Sequence, residues 1–597
     1  MEMLAKTLLG VALAGLLLQR PVLGASANTM PFEEHAFFVA IDGNDTNPGT
    51  REEPWRTIQH AVDQAQPGVT IYVRGGVYEE SVRIDRGGAA GEYVALENYP
   101  GERPVIDPAF KSGCGVLVTA DYVRIKGLEI RNCKADPERR AETGGLGFAV
   151  ANHCVAEGNT VHHVIGAQGE HHGKPAIGIS VQDSDSVIIQ NNTVYDVVGH
   201  CESMGIKADT VSNMVIRRNL VYFCDKEGIR LLTYDRDSDN VIEGNIALSN
   251  NIGIAVNNCR PKTGTTIVRN NFSGWNCTVG MQIKHSTNTV VTHNTIYGNH
   301  GLGLKFNDRP FNYYAVVKNN ILSNNVSAWQ IVDNENFHET VDYDFYQYQP
   351  GSLLAEFDWS EADRCYSLLD IQRNTERTDT VGKTYEQHGR EGAALFVDPA
   401  GTDFRLQAES PARGGADDGK EMGALESELV EAGAEKAYSL ARIPDLGELR
   451  LRVESFSSES ERGRAANVAD QSGDTYWEVD TSKDSKREIV LALTGEKPHE
   501  LTFITLTKPE PRDNYYRQFR LYLDDGSGQW NLVPEPAEHP FVGYTSPQGI
   551  NNGETWALPK GMLARRLKVE LVSGYSDIIR IPEIRVYGSK TAAGEDN

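Results

Sequence analysis

Two basic residues occupy the same place in consecutive copies of a short phrase: Lys207 in Gly205-Ile206-Lys207-Ala208-Asp209 and Arg230 in Gly228-Ile229-Arg230-Leu231-Leu232. Side chains alternate between the faces of a strand, so an inward Ile turns each basic residue outward. Copies stacked about 4.8 Å apart would set Lys207 against Arg230, close to Asp209. Like charges placed so near each other are unfavourable unless something uses them. A partly desolvated amine among cations also gives up its proton more readily. Such an amine can remove the proton alpha to a carboxylate while a neighbouring cation neutralises that carboxylate. The bland alternative is that exposed basic residues merely keep a surface soluble.

The phrase belongs to a repeat that would position these groups. Gly followed by a large apolar residue recurs at Gly147, Gly178, Gly205, Gly228, Gly253, Gly280 and Gly303. Taking the residue after each apolar one as outward gives the row Ala149, Ser180, Lys207, Arg230, Ala255, Gln282 and Lys305. Two residues on lies a second row, Gln182, Asp209, Leu232, Asn257, Lys284 and Asn307. A groove carrying Lys207, Arg230, Lys284 and Lys305 beside Asn257, Gln282 and Asn307 suits an extended anionic polymer such as a polyuronate. A second series, Asn159, Asn192, Asn219, Asn245, Asn271, Asn294 and Asn320, recurs at intervals of 33, 27, 26, 26, 23 and 26 residues. Short strands and turns at that period mean a β-solenoid. Stacked Asn side chains can satisfy turn backbone along its axis.

The chain has 597 residues and a net charge of −25, which argues against nucleic acid as a general partner. Lys6, the apolar run Leu8–Leu18 and Ala25-Ser26-Ala27 read as an export signal over residues 1–27. No other stretch reaches membrane-spanning length, so the expectation is a monomer that is secreted, periplasmic or at the cell surface. The eight cysteines show no CxxC pair, and buried thiols are expected of them. A first unit is expected over 28–427, with the coils interrupted by an excursion at 331–385, resuming at Ala394 and closing at Met422-Gly423-Ala424. An acidic linker at 428–448, a module with alternating strands at 449–590 and a disordered tail at 591–597 follow. The fold class expected is all-β, a right-handed parallel β-helix followed by a β-sandwich jelly-roll.

Resemblances sharpen this. Phe37-Phe38-Val39-Ala40, the turn Asp42-Gly43-Asn44-Asp45 to Pro48-Gly49-Thr50, the helix Pro54-Trp55-Arg56-Thr57-Ile58 and Ile71-Tyr72-Val73-Arg74-Gly75-Gly76 resemble the N-terminal cap of bacterial right-handed parallel β-helix proteins. The phrases Ala469-Asp470-Gln471-Ser472-Gly473-Asp474-Thr475-Tyr476-Trp477, Asp525-Gly526 with Trp530, and Glu583-Ile584-Arg585-Val586-Tyr587-Gly588 resemble a discoidin-like module. That resemblance implies carbohydrate binding and a structural Ca²⁺ held by Asp470, Asp474, Thr475 and Glu583. Glu202, five residues before Lys207, with Arg230 on the following coil, resembles the active-site pattern of β-helix lyases acting on alginate and dermatan-type chains. It implies Lys207 and Arg230 as catalytic residues and Glu202 as a Ca²⁺ ligand. The second acidic ligand of that pattern is His200 here, a candidate substrate contact, and Glu170, His171 and His172 stand as rim candidates. The reading is a polysaccharide lyase acting by β-elimination. Its rivals are a glycoside hydrolase using Asp209 with Glu202 or Asp235, and a non-catalytic glycan binder.

Overall fold

The protein is described by a computed structural model covering residues 35–589, apart from 112, 136–143, 167–174, 199–202, 225, 277, 300, 308–313, 332–339, 349–352, 358–363, 375–384, 399–402, 425–445, 461–462, 471–474, 481, 484–485, 496, 507–515, 534–553, 559–561, 575–577 and 582–583. Cys201, Cys277 and the expected export signal therefore lie outside the described residues, as do Glu170, His171, His172, His200, Glu202, Asp474 and Glu583. No helix among the described residues is long and apolar enough to cross a membrane.

Residues 35–391 form a parallel β-solenoid of three 12-stranded sheets. Each coil supplies one strand to each sheet, and inward Val, Ile and Leu from all three fill a single axial core. Parallel strands buried on the inner face read as short apolar runs, which is how they stand in the sequence. The N-terminal end is covered by the helix Ile58–Asp63, whose Ile58, Ala61 and Val62 are buried. Thr57 caps it, its hydroxyl accepting from the His60 amide at 3.3 Å. The helix therefore starts after the expected Pro54. Trp55 instead closes the preceding turn, its indole N–H donating to Asn47 O at 2.6 Å.

The Asn series forms the expected ladder at the turn between the first and third sheets. From Asn159 to Asn320, each backbone N–H and side-chain amide donates to the Oδ1 of the Asn one coil on, at 2.9 to 3.0 Å. The residue before each Asn takes the left-handed conformation that the tight turn needs, from Gly158 (φ 64°) to Asn319 (φ 61°). The ladder does not stop where the Asn residues do. Asp344 takes the next place, accepting from the Asn320 N–H at 2.7 Å, and Glu386 follows, accepting from the Asp344 N–H at 3.1 Å. The coils thus run on through Thr340–Asp342, Phe345–Gln347 and Ala355–Phe357, correcting the expectation of an excursion over 331–385.

Burial pushes the Asp344 carboxyl up to about 7 and Glu386 well above its usual range, where the charge of Asp344 raises it further. Tyr346 Oη adds a donor to Glu386 at 2.6 Å. A carboxyl raised in the folded state stabilises fully below its unfolded pKa, and that contribution is lost as pH rises through the folded value. Melting temperature should therefore fall between pH 5 and pH 8. Asp344→Asn, which continues the ladder without a charge, should flatten that fall and be more stable than wild type at pH 8. Identical pH slopes in thermal melts of the two proteins would refute this role.

The closing segment also departs from expectation. Phe396–Asp398 and Asp403–Leu406 form an antiparallel hairpin rather than a coil. It folds back on the outer face of the third sheet, where Phe404 meets Phe272, Trp275 and Tyr297 at ring-centroid distances of 4.1, 5.5 and 4.9 Å. Six described cysteines are buried.

Residues 446–589 form separate antiparallel sheets. One orders Leu446–Leu449, Ile584–Ser589, His499–Leu506 and Glu554–Ala557, and another Leu451–Phe456, Glu488–Leu493, Arg566–Gly574, Tyr516–Asp524 and Asn531–Leu532. Trp477, Ile489, Leu491, Ile504, Leu521, Leu567 and Val586 are among the residues of their common core. The first strand starts at Leu446, inside the stretch expected to be linker.

Candidate functional site

The second sheet carries the basic pair. From Ile177–Gln182 to Leu302–Asn307 the second residue of each of its strands is a Gly, and the reason is close approach, not positive φ. A Cβ on Gly205 would meet Val221 Cγ1 at 2.3 Å and Cys224 Sγ at 2.9 Å. On Gly228, Gly253, Gly280 and Gly303 it would meet the amides of Asn250, Asn276, Asn299 and Asn325, at 2.6 to 2.9 Å. Those four Asn residues form a second ladder that the sequence reading missed, with Asn250 N donating to Asn276 Oδ1 at 3.0 Å and Asn276 N to Asn299 Oδ1 at 2.9 Å. The Gly faces inward together with the Ile that follows it. The residues on either side of that pair, Met204 and Lys207 or Glu227 and Arg230, therefore turn outward.

Register pairs Lys207 with Arg230 directly. The whole row reads Ser180, Lys207, Arg230, Ala255, Gln282, Lys305, Gln330, Glu356. At about 4.8 Å per coil it is roughly 34 Å long. The expected second row also forms from Gln182 through Asp209, Leu232, Asn257 and Lys284 to the strand position of Asn307. Ala149 is misplaced by the sequence reading: Gly147 pairs with Ser180 and Ala149 with Gln182, because Gly145 occupies the inward Gly position of that coil.

The row is more enclosed than an exposed strand face would be. Lys207 is 4% exposed, and Asn257, Gln282 and Gln330 are buried, while Lys284 and Lys305 are half-buried. Lys207 Nζ lies 3.1 Å from Asp209 Oδ2. Arg230 Nη1 lies 3.8 Å from Glu227 Oε1 and 4.0 Å from Met204 Sδ. Each cation thus has its own carboxylate, and the stack is two offset ion pairs. This corrects the expectation of unrelieved like charge: the mutual repulsion that argued for a use of the pair is largely offset. Burial of the Lys207 and Glu227 charges is the stronger signal, because desolvating them costs several kcal/mol that a solvated surface would avoid.

Glu227 is the residue that sequence reasoning missed. It is 2% exposed, and its Oε2 has no hydrogen-bond partner among the described residues. Its signal was present as an acid three residues before Arg230, immediately ahead of the repeat Gly. Of the hydrolase candidates, Asp209 is engaged by Lys207, and Asp235 lies on the turn beyond the strand, 72% exposed and 3.2 Å from Arg260. Among the described residues no group of three or more His, Cys, Asp or Glu side chains is placed to hold a metal ion. In the C-terminal sheets, Thr475 Oγ1 donates to Asp470 Oδ2 at 2.6 Å, so these two expected Ca²⁺ ligands are adjacent.

Comparison with known proteins agrees with this architecture. Residues 37–217 match a family model described as Pel9A-like, right handed beta helix region, and residues 233–344 match a right handed beta helix region. Lys207 and Asp209 fall inside the first match, and Glu227 and Arg230 between the two. The uncharacterized protein YwoF of Bacillus subtilis is 24% identical over 455 residues, 63% of this chain and 92% of its own length. Pectate lyase PEL9 of Emericella nidulans is 43% identical over 72 residues, only 12% of this chain and 18% of that enzyme. The crystal structure of pectate lyase Pel9A covers 66% of this chain and 96% of its own, at 16% identity and a TM-score of 0.42. The chain is a right-handed parallel β-helix protein with pectate lyases among its distant relatives.

Proposed function

We propose that this protein is an exported polysaccharide lyase that cleaves a uronic-acid polymer by β-elimination in the groove of the second sheet. The observation that carries the reading is the direct register of Lys207 on Arg230 within a buried row, each beside a carboxylate. The local likeness to a pectate lyase supports the same class of chemistry. Lys207 takes the proton alpha to the substrate carboxylate. Arg230 neutralises that carboxylate as charge builds on it, where a fixed donor is worth most. The electron pair left on carbon forms the ring double bond, the glycosidic bond on the next carbon breaks, and the leaving oxygen takes a proton from water. Asp209 holds the Lys207 amine in place. The polar row extending to Gln330 and Glu356 supports an extended chain lying along the axis, with Asn257, Gln282, Lys284, Lys305 and Asn307 as contacts.

The C-terminal sheets serve, in this reading, as a discoidin-like carbohydrate-binding module. Asp470 and Thr475 supply hard oxygen donors of the kind Ca²⁺ takes, and Glu202 stands as a ligand of a second Ca²⁺ by its resemblance to the lyase pattern. A panel of acidic and neutral polysaccharides tests the activity. Acidic chains should give an absorbance rise near ~235 nm from the conjugated product of proton abstraction. New reducing ends without that absorbance would replace elimination by hydrolysis.

A further inference from the structure

The groove holds a buried acid that the proposed reaction does not use. Glu227 begins its strand at the rung of Arg230, 2% exposed, with Oε1 3.8 Å from Arg230 Nη1 and Oε2 without a hydrogen-bond partner among the described residues. A carboxylate so enclosed is costly to keep unless its charge acts on something nearby. The nearest oppositely charged group among the described residues is the Arg230 guanidinium. The separation is too long for a hydrogen bond, so Glu227 acts on Arg230 by charge. Met204, on the preceding coil, bounds the same guanidinium from the other side through its sulfur at 4.0 Å. The neighbouring rung solves the same problem differently: Lys207 is held by Asp209 at 3.1 Å, on its own strand two residues on.

We infer that Glu227 is a positioning residue for Arg230, fixing the guanidinium over the groove so that its donors meet the carboxylate of an acidic sugar. The inference rests on the lyase reading for the identity of the reaction, but the coupling of Glu227 to Arg230 can be read without it. Glu227→Gln keeps size and removes charge. Its kcat on a polyuronate should fall about tenfold or more with KM changed far less, because an unaimed guanidinium loses contact chiefly in the transition state. Glu227→Asp should restore part of the loss.

The decisive experiment is a double-mutant cycle of Glu227→Gln and Arg230→Ala in the full chain. If Glu227 acts through Arg230, the double variant is no slower than Arg230→Ala alone. Additive losses, or a Glu227→Gln enzyme equal to wild type, overturn the inference. Where wild type yields no ~235 nm product of proton abstraction, the same cycle is read on polyuronate affinity by calorimetry. Non-additive affinities then keep Glu227 as the positioning residue while the lyase reading falls. Additive affinities remove it.

Discussion

Lys207→Ala should lower kcat on a polyuronate by roughly 10²–10⁴-fold, the usual worth of a positioned general base, while leaving KM within a few-fold. The side chain is buried and its partner Asp209 lies on the same strand, so the variant removes one amine and leaves the coil's backbone ladder untouched. Asp209 then faces the groove without its counter-charge, but it is partly exposed and can rehydrate. Folding should survive, and circular dichroism should show the wild-type strand signal. A primary amine such as methylamine, added to the variant, should recover part of the activity because it fills the space and restores the base. A structural lysine would not be rescued in that way. Full activity in Lys207→Ala, with the protein folded, would remove Lys207 as the base.

Asn245→Ala is expected to destabilise the solenoid by about 3–5 kcal/mol, from roughly 1–3 kcal/mol for each buried polar group left unsatisfied. Asn245 is fully buried and sits mid-ladder. Its Oδ1 accepts from the Asn219 N–H at 3.0 Å and the Asn219 amide at 2.9 Å, and its own amide donates to Ile216 O at 2.9 Å and Asn271 Oδ1 at 3.0 Å. Alanine leaves a buried backbone N–H and a buried carbonyl without partners, and no water can replace them in a packed turn. Asn245→Asp should be nearly as damaging near neutral pH, since a carboxylate cannot donate to Ile216 O. Asp344 tolerates that chemistry because it ends the Asn run, where burial raises its carboxyl to about 7. Denaturant titration reads the loss, and a change below about 1 kcal/mol, the scale of an ordinary single hydrogen bond, would mean that the ladder is not what holds the turns.

The solenoid was legible because its constraints are repetitive. A ladder needs the same amide at every turn, so Asn159 to Asn320 stood out by period alone. Legibility ended where the same physical role was filled by different residues. Asp344 and Glu386 continue the ladder as carboxyls, which hid the last coils inside what read as an excursion. Gly145, not Gly147, is the inward glycine of its coil, and two glycines two residues apart cannot be told apart by pattern. The glycines were visible, but their cause was not: Asn250, Asn276, Asn299 and Asn325 approach them from the turns after the third sheet, a contact between residues 19 to 23 apart in the chain. At the groove, the repeat set Lys207 on Arg230 correctly, since pairing follows from register. Glu227 was passed over because its outward turn depends on the kink at Gly228, which simple alternation does not contain.

The most direct test of the account is the mass of the products released from a purified polyuronate. Elimination predicts oligomers whose new non-reducing ends are lighter by one water than the corresponding hydrolysis products, absent with Lys207→Ala. Oligomers that have gained the full water at each cleaved bond would contradict it, and the paired ions of the second sheet would then serve a hydrolytic or purely binding groove.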